Sequence, residues 1–301
     1  MQHVAIDLGG RESQICVRAE DGRILHEGKI ATLCIESYLK RQPPSRVVLE
    51  TCAEAFGIAD KVLSFKHEVR VVPATLVRSL GVGARRIKTD RRDAQVLSEV
   101  SCRIDLPSVH VPTELARTRR SMCGAREELI AVRTALINSV RGWARTQLLK
   151  IRSGACETLT KRVREAATKR SEGMPQYVER LLSTIETLHA QIADADAELE
   201  QLAAQDPICQ RLMSVPGVGP VTSMRFVAAI DDVTRFHDAH SVQSFLGLTP
   251  GEHSSSNRQQ RTGITKAGPA PVRRALSRKR PGAFDAPART TRSRFGLCRS
   301  S

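Results

Sequence analysis

Aromatic side chains are scarce in this chain: seven Phe, two Tyr and one Trp amount to 3% of 301 residues. Aliphatics must therefore close the core, which 41% hydrophobic residues allow. The same scarcity argues against a surface that reads single strands by stacking many bases. No apolar run approaches the ~18 residues of a membrane span, and no signal peptide opens the chain. The expectation is a cytoplasmic protein with no membrane partner. Eight cysteines (16, 34, 52, 102, 123, 156, 209 and 298) stand singly, with no CxxC pair and no adjacent histidine set. That spacing argues against zinc, and Cys16, Cys34 and Cys52 read as small core residues. Acids are also in deficit, 32 against 47 Lys plus Arg, for a net charge of +15. A polyanionic partner is implied, nucleic acid first. The stretch 277–301 holds seven basic residues and one acid in an Arg/Ser/Pro-rich sequence without periodicity, the composition of a disordered basic tail.

The length suggests two or three domains. Residues 3–72 read as α/β. Val4-Ala5-Ile6 is a short strand ending at Asp7, Gln14–Ala19 and Arg23–Ile30 form a hairpin across Glu20-Asp21-Gly22, and Val47-Val48-Leu49 ends on Glu50. A helix over Ala53–Phe65 and a strand over Val69–Val72 follow. If the first and fourth strands are neighbours, Asp7 and Glu50 meet at one edge of the sheet, where α/β proteins commonly bind ligands.

The stretch Lys88-Thr89-Asp90-Arg91-Arg92-Asp93-Ala94 starts a helical pattern. Asp90 and Asp93 share a helix face, and two like charges held close favour a cation between them. Mg²⁺, usually held by carboxylates and phosphate oxygens, is the natural candidate. Lys88, Arg91 and Arg92 flank it as phosphate attractors. Taken alone these residues describe a solvated helix start; with Asp7 and Glu50 they make a set of four acids.

From residue 112 the chain turns helical and charged. Leu129, Val132, Leu136, Val140 and Trp143 mark an amphipathic helix, and 152–175 reads as a turn region with Gly154, Gly173 and Pro175. Val178, Leu181, Ile185, Leu188, Ile192, Ala195, Leu199 and Leu202 then form an unbroken heptad seam, a coiled-coil signal. Pairing with the 129–143 helix and dimerisation both satisfy it. Next, Val215-Pro216-Gly217-Val218-Gly219 between two helices resembles a helix–hairpin–helix element, whose backbone amides hold DNA phosphate. A short helix is expected over Phe236–Leu246. Gly247 to Asn257 reads as a turn-rich loop carrying His253, Ser254, Ser255 and Ser256, followed by Arg258, Arg261, Lys266 and Arg273 as phosphate clamps.

These motifs, in this order, resemble the DEDD transposases of the insertion-sequence 110 family over about residues 3–276. They are Asp7, Leu49-Glu50-Thr51, Lys88–Ala94, Val215–Gly219, Gly247-Leu248-Thr249-Pro250 and Gly263-Ile264-Thr265-Lys266-Ala267-Gly268. The resemblance implies an RNase H-like (RuvC-like) catalytic domain over 1–110, a helical coiled-coil region over 111–205, and a mainly α transposase domain over 206–276. It implies Mg²⁺ held by Asp7, Glu50, Asp90 and Asp93, and a serine nucleophile that forms a covalent link to DNA. It also implies a structured bridge RNA as guide and a homo-oligomer, dimer or tetramer. The family's His-Ser-Ser-Gly-Gly pattern falls on His253–Asn257, making Ser255 the nucleophile. Ser256 and Asn257 replace the two glycines, which leaves Ser254 and Ser256 as alternatives. Pro269 stands where the family has asparagine. After Leu276 the family continues with helices, whereas this chain becomes Arg/Pro/Ser-rich, as a shifted reading frame or a decaying gene would produce. Two other readings stay open: a resolvase-like metal-dependent nuclease using water, and an inactive descendant that binds nucleic acid only.

Overall fold

The computed structural model describes residues 1–79, 90–168, 173–255 and 258–277; side chains 78–79, 90 and 252–261 are outside that description. Lys88, Ser256 and the tail beyond 277 therefore lie outside the described residues. Two compact units result, Met1–Pro112 and Thr113–Ser301.

The first unit is mixed α/β. Its sheet holds β1 (Gln2–Asp7), β2 (Glu12–Arg18), β3 (Ile24–Ala31), β4 (Ser45–Glu50) and β5 (Glu68–Val72), in the order β3-β2-β1-β4-β5. Tight turns join the first three strands, so β2 runs antiparallel to both neighbours. Gly22, at φ +86°, supplies the left-handed residue that the β2–β3 turn requires. The β1–β4 and β4–β5 pairs are parallel and need crossovers. These are supplied by α1 (Ile35–Leu39), entered through a 3-10 turn at Thr32–Cys34, and by α2 (Ala55–Ser64). The helical turn over Thr32–Leu39 had no sequence signal.

β1 and β4 bury both faces, hence their continuous apolar runs. On one face Val4, Ile6, Val47 and Leu49 pack with Ile35, Leu39, Ala59 and Val62 of α1 and α2. On the other, Ala5, Val48 and Val72 pack with Val77 of α3 (Ala74–Ser79), Leu97 of α4 (Asp90–Arg103) and Leu106. At roughly 1.5–3 kcal/mol for each large aliphatic side chain removed from water, Leu97 and Leu106 hold this second layer firmly. Cys16 is in the core and Cys52 half-buried, but Cys34 is exposed at the α1 entry, against expectation.

The second unit is mostly helical, with α5 (Glu114–Thr146), α6 (Leu159–Ala167), α7 (Gln176–Gln205), α8 (Pro207–Met213), α9 (Pro220–Ile230), α10 (Ala239–Phe245) and α11 (Ala270–Ser277). The helix starts follow capping chemistry. Thr113 accepts the Ala116 amide, Asp206 accepts those of Ile208 and Cys209, and Asp238 with Ser241 forms a reciprocal box. α7 packs along α5: Val178 and Ile185 of the seam meet Ile137 and Val140, so the seam has an intramolecular partner, with Leu182 buried there rather than the expected Leu181, which is half-buried. The face of α5 is rotated from the expected one, since Val132 is 48% exposed while Ile137 and Ala144 are buried. α6 occupies part of what read as a turn region, its Leu159 and Val163 closing the same core.

The largest departure lies at 247–264. Instead of a loop, β6 (Pro250–Ser255) and β7 (Arg258–Ile264) form an antiparallel ribbon. The C-terminal part thus adds one two-stranded ribbon to its helices. Serine and glycine hide strand character because neither carries β propensity.

Candidate active site

Backbone register places the first two acids. Ile6 pairs with Leu49 in the parallel β1–β4 ladder, so Asp7 and Glu50 follow as the next residues on adjacent strands. By alternation Asp7 shares the face of Ala5, and Glu50 that of Val48. This is the face covered by α4.

Helix α4 is pinned to that face at known points. His3 Nδ1 and Ser101 Oγ lie 2.8 Å apart. Ser98 Oγ donates to Cys16 Sγ at 3.2 Å and accepts from Arg18 Nε at 2.9 Å. Ser98 is thus level with Ala5, the partner of Cys16, and Ser101 with His3. From Ser101 back to Asp93 the helix covers roughly 12 Å, while from His3 to Asp7 the strand covers roughly 13 Å. Asp93 therefore sits at the height of Asp7 and Glu50, on their side of the sheet. It is 3% exposed. Asp90, one turn earlier, begins α4; its side chain is outside the described residues. Among the described residues no set of three or more acidic, His or Cys side chains is close enough to form a metal cluster.

Local chemistry fixes this edge. Gly9 turns the chain out of β1 so tightly that a Cβ would lie 2.3 Å from the Glu12 carbonyl. Its own carbonyl accepts from Thr32 Oγ1 at 2.6 Å. After Glu50, Thr51 Oγ1 accepts the Ala74 amide at 3.1 Å and ties the β4 end to α3. Two residues without a sequence signal adjoin the acids. Gln14, buried, is paired in register with Asp7. Glu27 of β3 takes a bidentate pair from Arg91, at 2.6 and 2.9 Å, and a further bond from Gln95. The Arg91 hydrogen bond holds the Glu27 carboxyl below its ordinary range. Arg91 thus clasps α4 to the sheet, and Arg92 is the exposed cation beside it.

In the second unit the glycine motifs form one corner. Gly247, at φ +67°, would place a Cβ 2.6 Å from the Ala267 nitrogen, and one on Gly268 would lie 1.9 Å from the Phe245 carbonyl oxygen. Thr265 N donates to the Thr249 carbonyl at 2.9 Å, and Lys266 N to that of Gly247 at 3.1 Å. Lys266 is exposed. Arg273 turns inward, its Nη1 donating to the carbonyls of Leu246, at 3.1 Å, and Gly268. It braces the corner from which β6 and β7 spring. Ser255 ends β6 opposite Arg258, Ser254 pairs with Gln259, and Arg261 pairs with Glu252.

The hairpin of the same unit is formed by Gly217, at φ +89°, and by Gly219, the N-cap of α9, with Pro220 at the first helical position. Both glycines line a cleft of about 320 Å³ with Arg126, Arg225 and Arg274. Glu127 pairs with Arg225 at 3.0 Å and Arg274 at 3.2 Å.

An acid-edged mixed sheet joined to a basic, mostly helical unit is a frame for nucleic-acid chemistry, and comparison with known proteins names the group. Residues 4–146 match the DEDD transposases of the IS110 type, and residues 209–279 match the Transposase IS116/IS110/IS902 family. The transposase for insertion sequence element IS1111A of Coxiella burnetii is 27% identical over 91% of this chain and 75% of its own length. The transposase for element IS1328 of Yersinia enterocolitica is 25% identical over 91% and 81%, and a probable family 20 transposase of Pseudomonas aeruginosa 25% identical over 92% and 82%. The chain belongs to the IS110-family DEDD transposases of insertion sequences, enzymes whose partner is DNA. No helix among the described residues is long and apolar enough to cross a membrane.

Proposed function

We propose that the chain cleaves and exchanges DNA strands, with Asp7, Glu50, Asp90 and Asp93 as a divalent-metal site and Ser255 as nucleophile. The observation that carries this reading is the β1–β4 register. It sets two carboxylates side by side on the face where α4 buries a third. The sheet order with an antiparallel second strand supports an RNase H-like fold of the resolvase type. Hard carboxylate oxygens suit Mg²⁺, and Asp90 would complete the set. Bound there, Mg²⁺ would polarise the scissile phosphate and stabilise the leaving oxygen. The serine attacks phosphorus, forming an O–P ester as the DNA oxygen leaves, so the broken bond is kept as an ester for religation. Arg92, Lys88, Arg258, Arg261 and Lys266 draw in phosphates, as do the hairpin amides about Gly217 and Gly219. Guidance by a structured RNA, a homo-oligomeric state and a cytoplasmic setting complete the proposal. Support comes from the family and the charge of +15.

Replacing Asp7 with Asn tests it. Strand cleavage should fall at least about a hundredfold, because even residues behind metal ligands cost 10–100-fold, while nucleic-acid binding persists. Undiminished cleavage would sink the metal assignment.

A further inference from the structure

Several arginines of the second unit are ion-paired. Arg119 meets Asp206 at 2.6 Å, Arg126 meets Asp196, and Arg164 meets Glu179 and Glu186 at 2.6 and 2.5 Å. One place gathers cations without acids. Where α5 ends and the chain passes to α6, a cleft of about 340 Å³ is lined by Arg141, Arg145, Lys150, Arg152 and Arg162, with no acid in its wall. Arg141, Arg145, Lys150 and Arg152 are exposed and make no ion pair with any described residue.

The cleft is constructed. Arg162 spends its guanidinium on the carbonyls of Arg152, Ala155 (2.5 Å) and Thr158 (3.3 Å), folding the connecting segment against α6. Leu159, at its base, is in the core with Val140 and Val163. A cation in the last turn of a helix offsets the helix dipole. That accounts for Arg145 but not for Arg141 one turn earlier, nor for Lys150 and Arg152 beyond the helix. Arg141 and Arg145 stand at i, i+4, where like charges repel. Four cations held together without a counter-charge are a receptor for a polyanion. The lining has no aromatic ring, so the contact is with phosphate rather than stacked bases.

We propose that this cleft is a second phosphodiester-binding site, gripping the backbone of a nucleic acid apart from the hairpin and the serine ribbon. The choice of a nucleic acid rests on the proposed function. The site itself needs neither the metal nor the serine, and its test is read by binding without Mg²⁺.

The full chain carrying R141Q, R145Q and R152Q is titrated against a duplex DNA and a hairpin RNA across a salt series. A control loses the same charge at three exposed arginines elsewhere, R41Q, R180Q and R211Q. For duplex DNA the slope of log K against log salt should become shallower by about 2 to 3 in the cleft variant, at about 0.9 per phosphate contact, and much less in the control. The nucleic acid on which the slope changes identifies the occupant. Equal changes in both variants, or none on either nucleic acid, would overturn the proposal. If the triple variant loses helicity, R141Q with R145Q, both on the exposed side of α5, carries the test with an expected change of about 1 to 2.

Discussion

The two units position their candidate reactive groups by opposite means. In the first, strand register does the work: Asp7 and Glu50 adjoin because Ile6 and Leu49 do, and both strands are buried on two faces. In the second, the ribbon bearing Ser255 hangs from a corner where Gly247 and Gly268 touch backbone on backbone. A ladder in a core tolerates changes on its flanks, because many hydrogen bonds share the task. A corner where two glycines meet backbone leaves no room for a side chain. The acid edge should therefore fail chemically when altered while its fold survives, and the serine ribbon should fail structurally as soon as its corner is touched.

The sharpest break between them is chemical. Alongside the loss expected for Asp7→Asn, Ser255→Ala should abolish any protein–DNA adduct that survives denaturing electrophoresis, with the melting temperature unchanged. An adduct that persists moves the nucleophile to Ser254 or Ser256; cleavage without an adduct in the parent protein assigns the attack to water. Next comes the corner. Gly268→Ala forces a methyl against the Phe245 carbonyl and should cost roughly 1–3 kcal/mol, seen as a lower melting temperature. Gly57→Ala in α2, where nothing lies within 4 Å, should instead gain about 0.5–1 kcal/mol. Equal effects at both glycines would erase the contrast. The smallest effect is on pH. Burial, aided by Arg46, lowers the His3 pKa from 6.5, and burial with Arg133 lowers that of His189. The unfolded chain then binds more protons below about pH 6.5. Stability should be full above that pH and decline below it. His3→Gln should flatten the slope in thermal melts; an unchanged slope would show that His3 does not contribute.

What could be read in advance follows the same division. Alternation and turn residues located all five strands of the sheet, and Asp7 and Glu50 at the ends of two of them, because a strand buried on both faces leaves an unbroken apolar run. The partners Gln14 and Glu27 stayed hidden: neither has a local signature, and each acquires its place only through cross-strand register. The serine ribbon was misread as a loop because its strand character comes from pairing rather than composition. The heptad seam on α7 was legible, but Val132 on α5 was not a core residue, since a period shows that a face exists and not where its partner lies. Arg91 and Arg273 looked like free phosphate ligands, and only the fold reveals that Glu27 and two backbone carbonyls engage them.

Helix α5 carries a consequence beyond its packing. Arg126 lines the cleft at the α9 hairpin, and Arg141 and Arg145 line the cleft near the helix's end. Between Arg126 and the midpoint of that pair the axis rises roughly 25 Å at 1.5 Å per residue. If both clefts hold phosphate as proposed, this stiff rod is a ruler. In the units of B-form DNA, at 3.4 Å per step, it measures about seven base pairs, so a duplex lying along it would be protected from cleavage reagents at two points with that separation.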